Sequence, residues 1–257
     1  MVSATIVVDD ASPCTYDGTL RDVRDHATAG LVRFTRNAGI ARSLNVGLEL
    51  PHRRGASWLL TLDQDSSFTG TYVHDLQSDL VRAREYDKNV GAIAPQFVDD
   101  KSGAITYPTN MFRGWPATEE VIQSGTLWSV PALWSLHGFD EHLALDGVDS
   151  AACLSLREAG YWIALSPKAR LHHAWGDAQA FTVFGRAVAS TGHSAQRRQR
   201  IARNRLSLFR REWRQSPRHA LRTIRRVGTA TVLAGVAEKD GAAKVRASLA
   251  GLLGRDP

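Results

Sequence analysis

The chain has 257 residues, 43% hydrophobic and 23% charged, with a formal net charge of +6. That length suits one or two domains with a real core, and the composition excludes a disordered chain, a collagen-like repeat and a disulfide-stapled miniprotein. The charge is uneven: Gln196 to Arg226 holds 12 Arg against one acid, Glu212, for +11, which leaves −5 on the rest.

In chain order, Thr5 to Val8 is a β-branched run that stops at Asp9-Asp10, a strand ending in a turn. Leu31 to Phe34 reads as a second strand. Ile40 to Leu50 reads as a short helix stopped near Pro51. Ser57 to Leu62 is the most hydrophobic strand and ends at Asp63-Gln64-Asp65. Thr71 to Tyr86 is a charged helix and Val90 to Ala94 a strand. Lys101 to Gln123 reads as loop, with Met111, Phe112 and Trp115 in it. Val148 to Ala159 is helical with Gly160 as its C-terminal stop, and Tyr161 to Leu165 is a strand. From about Ala195 the chain is helical and basic. This alternation predicts an α/β fold with a mainly parallel sheet over residues 1–192, and a basic helical extension over 193–257. Cys14 and Cys153 fit no metal or disulfide spacing and suit a reducing compartment. The first eight residues read as a strand rather than a signal peptide, and the uncharged run Val227 to Ala237 is too short to span a bilayer. The expectation is a cytoplasmic protein.

Ligands of parallel sheets sit at the carboxyl ends of the strands. Acids gather there: Asp9-Asp10, Asp63 and Asp65, and, through a loop, Asp146 and Asp149. Alternate carboxylates such as Asp63 and Asp65 can reach one hard cation, and Mg²⁺ or Mn²⁺ favours carboxylates together with phosphate oxygens. A solvated acidic turn is the plainer reading of the same residues. Asp149 equally suits a helix N-cap, Asp146 a loop residue, and Trp115, Trp128 and Trp134 a core.

Asn37-x-Gly39-Ile-Ala-x-Ser43-x-Asn45-x-Gly47, followed by Trp58-Leu-Leu-Thr-Leu-Asp63-Gln-Asp65-Ser66, resembles the donor half of family-2 glycosyltransferases, bacterial rhamnosyltransferases above all. Ser124-Gly125-Thr126, Gly138-Phe139-Asp140-Glu141, Asp146-x-Val148-Asp149, Gly160-Tyr161 and His173-Ala-Trp-Gly176 extend the match in order. The resemblance implies a GT-A-like, Rossmann-related fold and inverting transfer from a dTDP-, UDP- or GDP-sugar to a saccharide or lipid-linked acceptor. It implies Asp149 as the base. Asp9 would face the nucleotide, with Asp10 the second candidate, and Asn37, Gly39, Asn45, Asp63 and Gln64 would lie on the donor side. Trp115, Ser124, Gly125 and Asp146 would lie on the acceptor side. Asp65 and His173 would hold Mg²⁺ or Mn²⁺.

The chain departs from the family in three ways. The family usually begins with one more strand, about thirty residues earlier. Ala151 and Ser155 stand where an acid and an arginine are usual. Gln199-Arg200 stands where a Tyr-Tyr pair precedes Arg203-Asn204. These departures keep open a second reading, a catalytically inactive sugar- or partner-binding protein. In the tail, Ile201, Leu206, Leu208, Phe209, Trp213, Leu221 and Ile224 alternate with arginines. That pattern fits a helix on an anionic membrane surface, such as the inner face of the plasma membrane. It fits equally an apolar stripe packed on the protein. No nucleic-acid reading module is recognisable.

Overall fold

A computed structural model describes residues 2, 4–26, 29–68, 70–99, 107–143, 146–173, 179–183, 186–190, 192–238 and 240–254. The chain divides into two compact units, Met1–His173 and Ala174–Pro257.

The first unit opens with β1 (Thr5–Asp9), α1 (Asp17–Asp25) and β2 (Ala29–Arg33). The two strands pair in parallel from Thr5↔Ala29 to Asp9↔Arg33 and form a sheet of their own. α2 (Ile40–Arg53) follows and runs through Pro51 rather than stopping before it. Pro51 lies in the last turn, where its missing N–H removes a single helical bond. Next come β3 (Trp58–Leu60), β4 (Ser67–Phe68), α3 (Tyr72–Tyr86) and β5 (Val90–Asp99). The expected loop 101–123 carries a hairpin instead, β6 (Asn110–Phe112) and β7 (Trp115–Thr118). After it lie β8 (Leu127–Ser129), α4 (Val130–Ser135), α5 (Val148–Glu158) and β9 (Trp162–His173).

The large sheet has the order β3-β8-β5-β9-β7-β6, with β4 on β9. Within it β5 and β9 are parallel, whereas β8 and β7 pair antiparallel with their neighbours. The sheet is therefore mixed, not mainly parallel. The antiparallel strands come from the segment read as loop and from β8, whose three residues are too few to show a period.

The core forms where α3 lies on the sheet. Tyr72, Leu76, Leu80 and Ala83 recur at helical spacing and meet Ile93 and Phe97 of β5 and Ala164 and Leu171 of β9. Trp115 belongs to this core, not to an acceptor platform. It is 3% exposed, and its indole Nε1 donates to the Leu165 carbonyl at 3.1 Å. Arg82 stacks over its ring at 5.5 Å.

One acid interrupts the apolar face of α3. Asp79 is fully buried, and its Oδ2 accepts from Ser166 Oγ at 2.7 Å and from the Lys168 N–H at 3.2 Å. It fastens α3 to the irregular stretch of β9 between Leu165 and Arg170, where the register with β5 shifts.

Cys14 is exposed and Cys153 buried, and both are free. Burial pushes the Cys153 thiol well above its ordinary range. The native protein is therefore expected to react with a thiol reagent at one site, Cys14, and at both only in denaturant, as counted by absorbance.

The second unit holds a hairpin, β10 (Gln179–Val183) with β11 (Arg186–Ser190), then α6 (Ala195–Gln215), α7 (Pro217–Ala237) and α8 (Gly241–Leu252). Ser194 Oγ caps α6 by accepting the Arg197 N–H at 3.2 Å. Pro217 opens α7, at the one end of a helix where its missing donor costs nothing. At Gly251 a Cβ would stand 2.2 Å from the Gln199 carbonyl, so only glycine allows α8 this close to α6.

Candidate functional site

The acid-bearing turn after β3 is held by a second turn, Gln123–Thr126. Thr61 is the hub. Its N–H donates to the Thr126 carbonyl at 3.1 Å, and its carbonyl accepts the Gly125 N–H at 2.7 Å. Its hydroxyl donates to the Gln123 carbonyl at 2.5 Å and accepts from Trp128 Nε1 at 2.9 Å. One step on, Ser124 Oγ accepts the Asp63 N–H at 3.0 Å and lies 2.5 Å from Ser66 Oγ. Gln123 Nε2 donates to the Asp63 carboxylate. Gly125 sits at φ +76°, and a Cβ there would strike the Tyr72 hydroxyl and Leu171. Ser124 and Gly125, expected on the acceptor side, thus brace the turn that carries Asp63. Gln64 and Asp65 are exposed at its tip.

β4 carries that turn towards β9. Ser67 pairs with His172 and Phe68 with Leu171 in antiparallel register. Asp65, expected to share a cation with His173, lies two residues before Ser67, and His173 one residue after His172, so this pairing brings the two segments together. The side chain of His173 and the loop through Gly176 lie outside the described residues.

On the side expected to face an acceptor, α5 begins after Gly147, which holds the N-cap position at φ +92°. Asp149 is therefore not the cap; it stands in the first turn, half-buried, and its Oδ1 accepts the Ser150 N–H at 2.9 Å. Ser150 Oγ in turn donates to Glu120. Burial pushes the Tyr107 hydroxyl upward, and the charges of Asp149 and Glu120 act on it in the same direction. Asp149, Glu120 and Tyr107 thus form one electrostatic cluster. Asp146 is half-buried in the turn just before α5. Sequence reasoning missed Glu120 and Tyr107, because they flank a segment that shows no periodicity.

At the end of β1 the two acids divide their work. Asp9, 6% exposed, pairs with Arg33 Nε at 3.0 Å and accepts the Ser12 N–H at 3.2 Å. Asp10 accepts the N–H groups of Ala38 at 2.6 Å and Gly39 at 2.9 Å, shaping the loop that presents exposed Asn37. Asn45 has a structural task. Its amide accepts the Phe139 N–H at 2.8 Å and donates to the Phe139 carbonyl at 2.9 Å and to Glu141 at 2.8 Å. Asn45→Ala is expected to cost about 2 kcal/mol, since two backbone groups of Phe139 lose their partner, and urea unfolding measures it.

A mixed sheet flanked by helices, with acids gathered at strand ends, is consistent with a GT-A-like α/β fold. In sequence the chain is similar to the dTDP-rhamnosyl transferase RfbF of Shigella flexneri, with 27% identity over 187 residues. The match covers 67% of this chain and 60% of that protein, so the chain spans less than two thirds of its curated relative's length. No family model matches. Among solved structures, S. aureus TarS 1-349 in complex with UDP-GlcNAc gives a TM-score of 0.59 at 11% identity, over 97% of this chain and 72% of that one. GalNAc-T7 with UDP, GalNAc and Mn²⁺ gives 0.54 at 11% identity, over 79% and 41%. At such identity the structural likeness is one of fold. The resemblance to family-2 glycosyltransferases, and to rhamnosyltransferases among them, is borne out.

Proposed function

We propose that this chain transfers a sugar, with inversion, from a nucleotide-sugar to a hydroxyl of a saccharide or lipid-linked acceptor. The observation that carries the reading is Asp149 in the first turn of α5 beside Glu120, in a unit that also braces an acid-bearing turn at the end of β3. The similarity to a dTDP-rhamnosyl transferase makes dTDP-rhamnose the first donor to try, with UDP- and GDP-sugars after it.

In a single displacement the acceptor oxygen bonds to the anomeric carbon as the bond to the diphosphate oxygen breaks. Asp149 takes the acceptor's proton in that step. Asp10 and the loop Asn37–Gly39 hold the nucleotide side, and Asp63 keeps Gln64 and Asp65 at the tip of their turn. A divalent cation, Mg²⁺ or Mn²⁺, fits an exposed carboxylate next to a histidine position: Asp65 with His173 would hold it. When bound it would neutralise charge on the departing diphosphate.

The tail supports contact with an anionic lipid surface. The exposed side of α7 carries Arg218, Leu221, Arg225, Val232 and Val236, and that of α8 carries Arg246 and Leu249, with Leu253 exposed just past its end. This pattern supports a peripheral position on the inner face of the plasma membrane. Among the described residues no helix is long and apolar enough to cross a membrane.

The test is an assay of the purified protein with dTDP-rhamnose, UDP- and GDP-sugars, saccharide acceptors and Mn²⁺, with the anomeric configuration of product read by NMR. Inverted product that disappears in Asp65→Ala supports the reading. Failure with every donor class favours the inactive, sugar-binding alternative that Ala151 and Ser155 leave open.

A further inference from the structure

α6 and α7 meet at a corner one residue long, Ser216. Glu212, one turn before it, is the one acid between Gln196 and Arg226, and it is turned inward, 1% exposed. Its carboxylate accepts Thr223 Oγ1 of α7 at 3.1 Å and stands 3.8 Å from Arg205, and its carbonyl accepts the Ser216 N–H at 2.7 Å. The acid that could offset the arginines outside is thus engaged within the corner, which it braces.

What the corner turns outward is basic and apolar. On α6, Leu206, Arg210, Trp213 and Arg214 recur at helical spacing and are all exposed. On α7, Arg218, Leu221 and Arg225 do the same. Among the described residues Arg210, Arg214, Arg218 and Arg225 have no ion pair. Trp213 is 45% exposed and Leu221 55%, and the Phe209 ring backs that of Trp213 at 5.7 Å. Both exposed stripes start from the same corner, so cations and large apolar groups alternate around it.

We infer that this corner enters the headgroup layer of an anionic bilayer, with Trp213 and Leu221 at the boundary with the acyl chains and Arg210, Arg214 and Arg218 on lipid phosphates. Interleaved Trp, Leu and Arg suit that boundary, which is apolar on one side and negatively charged on the other. A nucleic-acid backbone would pair with the arginines but leave Leu206 and Leu221 in water. The inference rests on the membrane contact proposed above and narrows it to one corner. Neither depends on sugar transfer.

The test is sedimentation of the full chain with vesicles of equal parts phosphatidylglycerol and phosphatidylcholine, beside vesicles of phosphatidylcholine alone. The expected result is binding to the anionic vesicles, weakened about thirtyfold when Arg214→Gln and Arg218→Gln are combined, since two basic contacts with the charged surface are lost. Trp213→Ala should weaken it about tenfold. Arg84→Gln removes a like charge from an exposed position of α3 and should change it less than about twofold. All these side chains are exposed, so melting temperatures should stay level across the variants. Lipids brominated along their chains should quench the tryptophan emission of the unaltered chain, and that quenching should be lost in Trp213→Ala. Equal binding to both kinds of vesicle, or retention of DNA without retention on anionic vesicles, overturns the inference. Binding that survives every corner variant also overturns it, and leaves the broader membrane contact standing.

Discussion

Asp149→Asn is expected to lower the rate of sugar transfer about a thousandfold, the middle of the range for loss of a general base. The substitution is close to isosteric, and the new amide oxygen can still accept the Ser150 N–H that Asp149 Oδ1 accepts now. The start of α5 should therefore keep its form, and the melting temperature should stay within a degree or two. What the amide cannot do is take a proton from the acceptor hydroxyl. The loss should appear in kcat, with the donor KM little changed, because the role proposed for the side chain is on the acceptor. Full activity in Asp149→Asn would remove Asp149 from the reaction. Glu120, its neighbour through Ser150, would then be the carboxylate to replace next.

Asp79→Ala should have the largest effect on stability, about 3 kcal/mol, as for removing one partner from a buried charged network. For a unit of this size that corresponds to a fall in melting temperature of roughly 6–12 °C. Asp79 is fully buried and receives both the Ser166 hydroxyl and the Lys168 N–H, while Lys168 Nζ and Arg82 stand at 3.9 Å and 4.0 Å. Alanine would strand the buried Ser166 hydroxyl, take from the Lys168 N–H one of its two acceptors and leave two cations without their acid. Asp79→Asn keeps an acceptor and should lose about half as much. Thermal unfolding followed by circular dichroism separates the three proteins. Equal melting temperatures would mean that β9 holds its irregular stretch without α3.

The parts of this fold that the sequence made legible are those in which one periodic face is buried. α3 could be read because Tyr72, Leu76, Leu80 and Ala83 recur at helical spacing. The end of α5 could be read because Gly160 takes positive φ just past the last turn, and the Tyr161 N–H returns to the Leu156 carbonyl at 2.9 Å. β7 could not be read. Pro116 and the neighbouring Gly114 imitate a loop, and what makes Trp115 core is a distant carbonyl, that of Leu165. The same limit applied to the site. Acids at strand ends stood out, but local pattern cannot say which of two adjacent carboxylates turns inward. Arg33, across the β1–β2 register, decides that for Asp9. Nor can it show that Ser124 serves Asp63, since sixty residues of chain separate them and only the pairing of β3 with β8 brings them together.

The Thr61 hub has a consequence for how a donor would be met. Every hydrogen-bonding group of that one residue is engaged, and Tyr72 adds a bond from its hydroxyl to the Gly125 carbonyl at 2.6 Å. The base of the acid-bearing turn is therefore set before any ligand arrives. A donor would meet it ready-made, with little ordering entropy to lose there on binding. Tight association would then need less from each phosphate contact, and loosening Thr61 should weaken donor affinity without touching a single group that meets the sugar.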